Sequence, residues 1–153
     1  MAEGFDAFRV GDLPHCRTKN PMGGYFANGT SCLVLGTAFA DLGISGLRDG
    51  TDAAIGADKW TNGSGIRVQK ADTIRMENLD IRRKQFGIKM GQAEGLPFAY
   101  DHVIDVWTAN NLYLAYNCYG LYSDGWVSNV RIRNIYGYIN ERSLIHADAK
   151  YDW

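Results

Sequence analysis

The sequence predicts an all-β chain wound into a coil of stacked parallel strands, and two observations carry that prediction. The first is a cassette written three times: Asn78-Leu79…Gly87-Ile88, Asn111-Leu112…Gly120-Leu121 and Asn134-Ile135…Ser143-Leu144. In each, a small residue stands nine positions after the Asn and precedes an apolar one, and a looser copy opens at Gly46-Leu47. The Gly46, Asn78, Asn111 and Asn134 positions lie 32, 33 and 23 residues apart, within the range of periods that marks stacked-repeat architectures. The second observation is alternation of apolar and polar residues with period two on both sides of the Asn, the mark of a strand with one buried face.

The strands follow in order. Ahead of each Asn stand Ile74-Arg75-Met76-Glu77, Trp107-Thr108-Ala109-Asn110 and Val130-Arg131-Ile132-Arg133. Behind it stand Leu79-Asp80-Ile81-Arg82, Leu112-Tyr113-Leu114-Ala115 and Ile135-Tyr136-Gly137-Tyr138. A third strand begins after the small residue with Ile88-Lys89-Met90, Leu121-Tyr122-Ser123 and Leu144-Ile145-His146, the last placing His146 at an inward position. Leu42-Gly43-Ile44-Ser45 stands ahead of Gly46, and Leu33-Val34-Leu35 and Ile66-Arg67-Val68 supply earlier copies of the third strand. Between the first two strands the chain must turn in a single residue. A left-handed backbone does this, and Gly and Asn tolerate it best. Stacked Asn side chains can then hydrogen-bond along the coil axis as a ladder.

Departures from the minimal coil of 22–23 residues locate two insertions of about ten residues, one within 48–63 and one within 91–103. The expected architecture is a right-handed, single-stranded parallel β-helix of about five rungs over residues 31–153, with 1–30 as an N-terminal segment or cap. The span is short for such a coil, so it reads as a piece of a longer chain or as a small subunit capped by a partner.

Gly65-Ile66-Arg67-Val68, Thr73-Ile74-Arg75-Met76-Glu77-Asn78-Leu79-Asp80-Ile81 and Ser128-Asn129-Val130-Arg131-Ile132-Arg133-Asn134-Ile135 resemble the pectate-lyase-like parallel β-helix superfamily. The resemblance covers roughly residues 31–148. It implies the fold, and a function among polysaccharide lyases and hydrolases, epimerases or the trimeric tailspikes of bacteriophages. No catalytic signature of any one member is present, so no family residue is carried over as catalytic.

Composition narrows the classes. Sixteen Lys and Arg against 17 Asp and Glu give a net charge of −1, which marks neither a nucleic-acid nor an anionic-membrane partner. No apolar run approaches a membrane span. The opening Met-Ala-Glu-Gly-Phe-Asp lacks the regions of a signal peptide. Cys16, Cys32 and Cys118 are odd in number and fit no metal spacing, so a reduced chain made in a host cytoplasm is expected. No cofactor or metal is expected. Together with the resemblance, these features favour a virion tail component, a homotrimeric tailspike or appendage contacting other tail proteins and host-surface polysaccharide. A stand-alone polysaccharide depolymerase and a purely structural β-helical spacer are the alternatives.

Rung stacking predicts which outward residues share a face. Asp80, Tyr113 and Tyr136 form one column, Arg82 and Tyr138 belong to the next, and Tyr122 lies on the third-strand face with Lys89 and Ile145. Tyrosine offers a ring face to the C–H side of a sugar and a hydroxyl to its edge, so Tyr113, Tyr136, Tyr138, Tyr122, Asp80 and Arg82 are the glycan-binding candidates. The same rings suit a subunit interface equally well. Glycoside cleavage requires two carboxylates at a defined separation. Asp101, His102 and Asp105 beside the second insertion, with Asp124 and Glu141 on turns, are the candidates for acid–base work.

Overall fold

A computed structural model of the chain describes residues 6–10, 36–46, 61–68, 71–91, 103–123, 126–127 and 129–147. These form ten strands: β1 (Phe8–Val10), β2 (Thr37–Ser45), β3 (Thr61–Val68), β4 (Ala71–Arg82), β5 (Lys84–Met90), β6 (Val103–Ala115), β7 (Tyr119–Ser123), β8 (Trp126–Val127), β9 (Val130–Tyr138) and β10 (Ser143–Ala147). Every strand pairing among them is parallel. One sheet has the order β1-β3-β5-β7-β10; the other runs β2-β4-β6, with β8 and β9 both on the far side of β6. From β1 to β8 consecutive strands belong to different sheets, so each passage through both adds one strand to each.

The two insertions fall largely outside the described residues. Of the segment expected as an N-terminal cap, Phe8–Val10 is a parallel strand on β3, with Phe8 opposite Ile66 and Val10 opposite Val68.

The long strands bend once. Inward residues on β4 are Ile74 and Met76, then Leu79 and Ile81, all essentially inaccessible. The step from Met76 to Leu79 is three residues rather than two because Asn78 takes a left-handed backbone, φ 53°. The extra residue points outward and turns the chain. Asn111 (φ 54°) and Asn134 (φ 52°) do the same one and two strands along. The first member of the column is Asp41 (φ 55°), not Gly46. Leu42 pairs with Leu79 and Ser45 with Arg82, which sets Gly46 level with Arg83. Asp also accepts αL through local hydrogen bonding of its short side chain, so the substitution is physically equivalent.

The ladder forms with one deviation. Asn78 Nδ2 donates to Asp41 Oδ1 (2.8 Å) and Asn111 Nδ2 to Asn78 Oδ1 (3.0 Å). At the last step Asn134 Nδ2 donates to Asn110 Oδ1 (3.0 Å) instead of Asn111. A second column of left-handed residues sits five positions further on, at Arg83, Tyr116 and Ile139 (φ 56°, 56° and 45°).

Residues of both sheets meet in one apolar core, including Ile66, Ile88 and Leu121 from the first sheet and Ile81, Leu112 and Leu114 from the second. Each such side chain contributes roughly 1.5–3 kcal/mol by leaving water. Small residues at the start of the third strand are required by close backbone approach. Gly65, Gly87 and Gly120 are in register, and a Cβ on Gly87 would stand 2.5 Å from the Gly120 carbonyl oxygen. In the last copy the register differs from the expected one by a residue. Ile145 pairs with Leu121 and His146 with Tyr122, so Leu144 continues the glycine column. Its side chain occupies the space left by Gly137, where a Cβ would come within 2.6 Å of Leu144 Cδ1.

Buried amides close the second bend. Asn117 is fully buried; its Oδ1 accepts from the Lys84 N–H and its Nδ2 donates to the Ile81 carbonyl, both at 3.0 Å. One strand along, Asn140 Oδ1 accepts from the Asn117 N–H (3.1 Å) and Nδ2 donates to the Leu114 carbonyl (2.8 Å).

Candidate functional site: the outward faces

Each outward column is a product of the register. On the second sheet Gly43, Asp80, Tyr113 and Tyr136 lie side by side on β2, β4, β6 and β9. Two residues along, Ser45, Arg82, Ala115 and Tyr138 form the neighbouring column. Five of the six glycan-binding candidates therefore share one face. Arg82 grips Asp80 with two parallel hydrogen bonds, Nε to Oδ1 at 2.6 Å and an η nitrogen to Oδ2 at 2.5 Å. The same guanidinium stands 4.9 Å from the centroid of the Tyr113 ring. The bond to Asp80 raises the Arg82 pKa, with burial opposing it. Tyr136 and Tyr138 are 58% and 50% exposed, which leaves their rings open to a ligand. Tyr138 packs edge-on against Tyr116 at 5.5 Å, and Arg83 lies 5.1 Å over Tyr116.

Tyr122 belongs to the other sheet, in register with Lys89 and His146. His146 is thus an outward residue, not the inward one expected, and Ile145 stands level with the buried Leu121 while remaining 50% exposed on the last strand of the sheet. The imidazole stacks on Tyr122 at 5.0 Å with the planes 7° apart. Phe86 and Tyr119 stack at 5.6 Å and complete a cluster of four rings. Lys89 Nζ stands 4.9 Å over Phe86 and 5.6 Å from the Tyr122 centroid. Sequence reasoning assigned Tyr122 to this face but missed Phe86, Tyr119 and His146. The first two precede the Gly87 and Gly120 positions by one residue, a recurrence that was available as a signal.

The acid–base candidates are not brought together among the described residues. Asp101, His102 and Asp124 lie outside the described residues, and for Asp105 only its backbone position on β6 is described. Glu141 is exposed on the turn before β10, where its N–H donates to the Asn117 carbonyl (2.8 Å). Asp80 has Gly43 and Tyr113 as strand neighbours, and Glu77 has Ala40 and Asn110, so neither meets a second carboxylate across a strand. Cys118 is buried and not disulfide-bonded, and burial raises its thiol pKa.

A third face precedes the Asn ladder on β4, β6 and β9. It is an open groove of about 270 Å³ between Arg75, Glu77, Thr108, Asn110, Arg131 and Arg133, floored by Met76 and Ala109.

Fold and surface together define an all-β protein with two wholly parallel sheets, alternate strands shared between them, and aromatic columns on the outside. No family model matches the chain, no curated protein matches it in sequence, and no solved structure matches it in fold.

Proposed function

We propose that the two sheets are faces of a right-handed parallel β-helix of the pectate-lyase-like kind, and that the chain is a segment of a phage tailspike or tail appendage binding host-surface polysaccharide. In this reading three copies assemble on a virion tail, and the glycan lies along the second sheet. The observation that carries the reading is the Tyr113–Tyr136 pair, adjacent and in register, beside the bidentate Asp80–Arg82 pair. Flat apolar ring faces next to fixed hydrogen-bonding groups are what a pyranose, with its C–H face and hydroxyl edge, requires.

The test is retention of the protein on gels containing capsular or O-antigen polysaccharides, with mass by light scattering in parallel. Tyr136→Ala is expected to weaken retention about ten-fold, a loss near 1.4 kcal/mol, while the trimer mass is kept. Unchanged retention with loss of the trimer would assign the tyrosines to a subunit interface instead. Reducing ends, or unsaturated products absorbing in the ultraviolet, would show that the bound glycan is also cut.

A further inference from the structure

We infer that Asn62-Gly63 is a site of self-modification, where the chain converts its own asparagine to isoaspartate and aspartate and thereby loosens β1 from β3. The inference is independent of the glycan reading. Of the ten asparagines in the sequence, glycine follows two, Asn28 and Asn62; only the second lies among the described residues. Asn62 is exposed near the start of β3. β3 pairs Thr61 with Lys84 and Ser64 with Phe86, so Asn62 and Gly63 together face the single residue Gln85. Such a β-bulge leaves its extra residue out of the ladder. Gly63 takes φ 90° there, a backbone that residues with a Cβ avoid. Its N–H donates to Gln85 Oε1 at 3.4 Å, longer than a well-made N–H···O bond.

Those features supply what the reaction needs. The Gly63 nitrogen gives up its proton to hydroxide and attacks the side-chain carbonyl carbon of Asn62. The bond from that carbon to the amide nitrogen breaks, and ammonia leaves. Water then opens the five-membered imide at either carbonyl, so the main chain continues as aspartate or, through the side-chain carbon, as isoaspartate. By contrast Asn78, Asn111 and Asn134 are followed by Leu79, Leu112 and Ile135, bulky residues paired in register with one another. Isoaspartate lengthens the main chain by one carbon, and it does so beside the attachment of β1. The Ser64 N–H donates to Asp6 Oδ1 (2.8 Å) and the Ser64 carbonyl accepts from the Ala7 N–H (2.9 Å). A longer chain just ahead of Ser64 displaces both bonds, and beyond them β1 pairs only through Phe8, Arg9 and Val10.

The intact protein is incubated folded, and unfolded in urea, at mildly alkaline pH. Asn62→Gln, which cannot close the five-membered ring, and Asn62→Asp, which has the charge without the extra carbon, are carried alongside. Peptide mapping against synthetic aspartate and isoaspartate standards reads each asparagine, and hydrogen exchange reads the Ala7 N–H. The folded protein is expected to convert Asn62 to both products, ahead of Asn78, Asn111 and Asn134, at a rate within about ten-fold of the unfolded chain because the bulge opens easily. In the isolated isoaspartate form the Ala7 N–H should exchange at least about ten-fold faster than in the starting protein, Asn62→Gln or Asn62→Asp. Conversion in urea alone overturns the site. Aspartate without isoaspartate overturns the imide route. Unchanged Ala7 exchange overturns the loosening of β1, and equal acceleration in Asn62→Asp overturns main-chain length as its cause.

Discussion

The side chain of Asn117 holds the backbone of Lys84 from 33 residues away: its Oδ1 accepts the Lys84 N–H at 3.0 Å while its Nδ2 donates to the Ile81 carbonyl. Both bonds are buried, so one amide substitutes for the water that this bend excludes. Asn117→Ala leaves a buried donor and a buried acceptor without partners, and about 2–4 kcal/mol of stability should be lost. Asn140→Ala, at a less buried position, should cost about half as much. Urea midpoints compared at constant m-value check both.

The left-handed columns separate backbone strain from hydrogen bonding. Asn111→Ala should cost about 1–2 kcal/mol through αL strain, whereas Asn111→Gly should recover much of that loss while still breaking the ladder. Ile139 is a β-branched residue at φ 45° and only 37% exposed, so both strain and burial are at stake there. Ile139→Gly relieves the strain but loses the burial, whereas Ile139→Ala loses the burial and keeps the strain; the Gly variant should be the more stable of the two by about 1 kcal/mol. A melting temperature for Ile139→Gly below that of Ile139→Ala would contradict the strain argument.

Gly87→Ala inserts a Cβ at 2.5 Å from the Gly120 oxygen. Overpacking of this kind typically costs 1–3 kcal/mol, and rigid backbone on the receiving side puts this case at the upper end. A thermal scan should show the largest shift among single-methyl additions on the third strand. Gly43→Ala, where a Cβ would meet nothing within 4 Å, is the control.

Two charges make stability rise with pH in two separate windows, one acidic and one alkaline. Burial works to raise the Asp6 pKa, but hydrogen bonds from Arg9 and the Ser64 N–H outweigh it and hold the carboxyl below its ordinary 3.8. A depressed carboxylate contributes stability that is fully present above the unfolded value and is lost as pH falls through the folded one. Burial depresses Lys84 below 10.5, so stability rises as pH climbs from its folded pKa toward 10.5. Asp6→Asn should flatten the acid side of the stability profile and Lys84→Met the alkaline side, read by denaturant midpoints across pH.

The column of Asn corners was readable from sequence because few residue types tolerate a left-handed backbone, so Asn78, Asn111 and Asn134 stand out at once. Asp41 was passed over for Gly46 because both tolerate the bend, and only strand register decides between them. The second corner was hidden, since Arg83, Tyr116 and Ile139 share no side-chain property and adopt positive φ only because the neighbouring strands impose it. Ser143 drew the last copy one residue out of register because it is small. The actual exchange is between a glycine made unnecessary at Leu144 and one required at Gly137, a compensation between two strands. Of the glycan-binding candidates, the Asp80, Tyr113 and Tyr136 column followed directly from counting. The arginine groove did not, because charge on alternating outward positions reads as an ordinary solvated strand until the rows are set side by side.

The pairing of Asn78 with Asn111 and of Lys84 with Asn117 spans a full circuit of chain each time. Among the described residues no adjacent pair of strands can close locally, as a hairpin would. Topologies rich in distant contacts form slowly, so this chain should assemble in sequence, each circuit templating the next, over milliseconds to seconds or longer. A missing corner would then delay everything built after it.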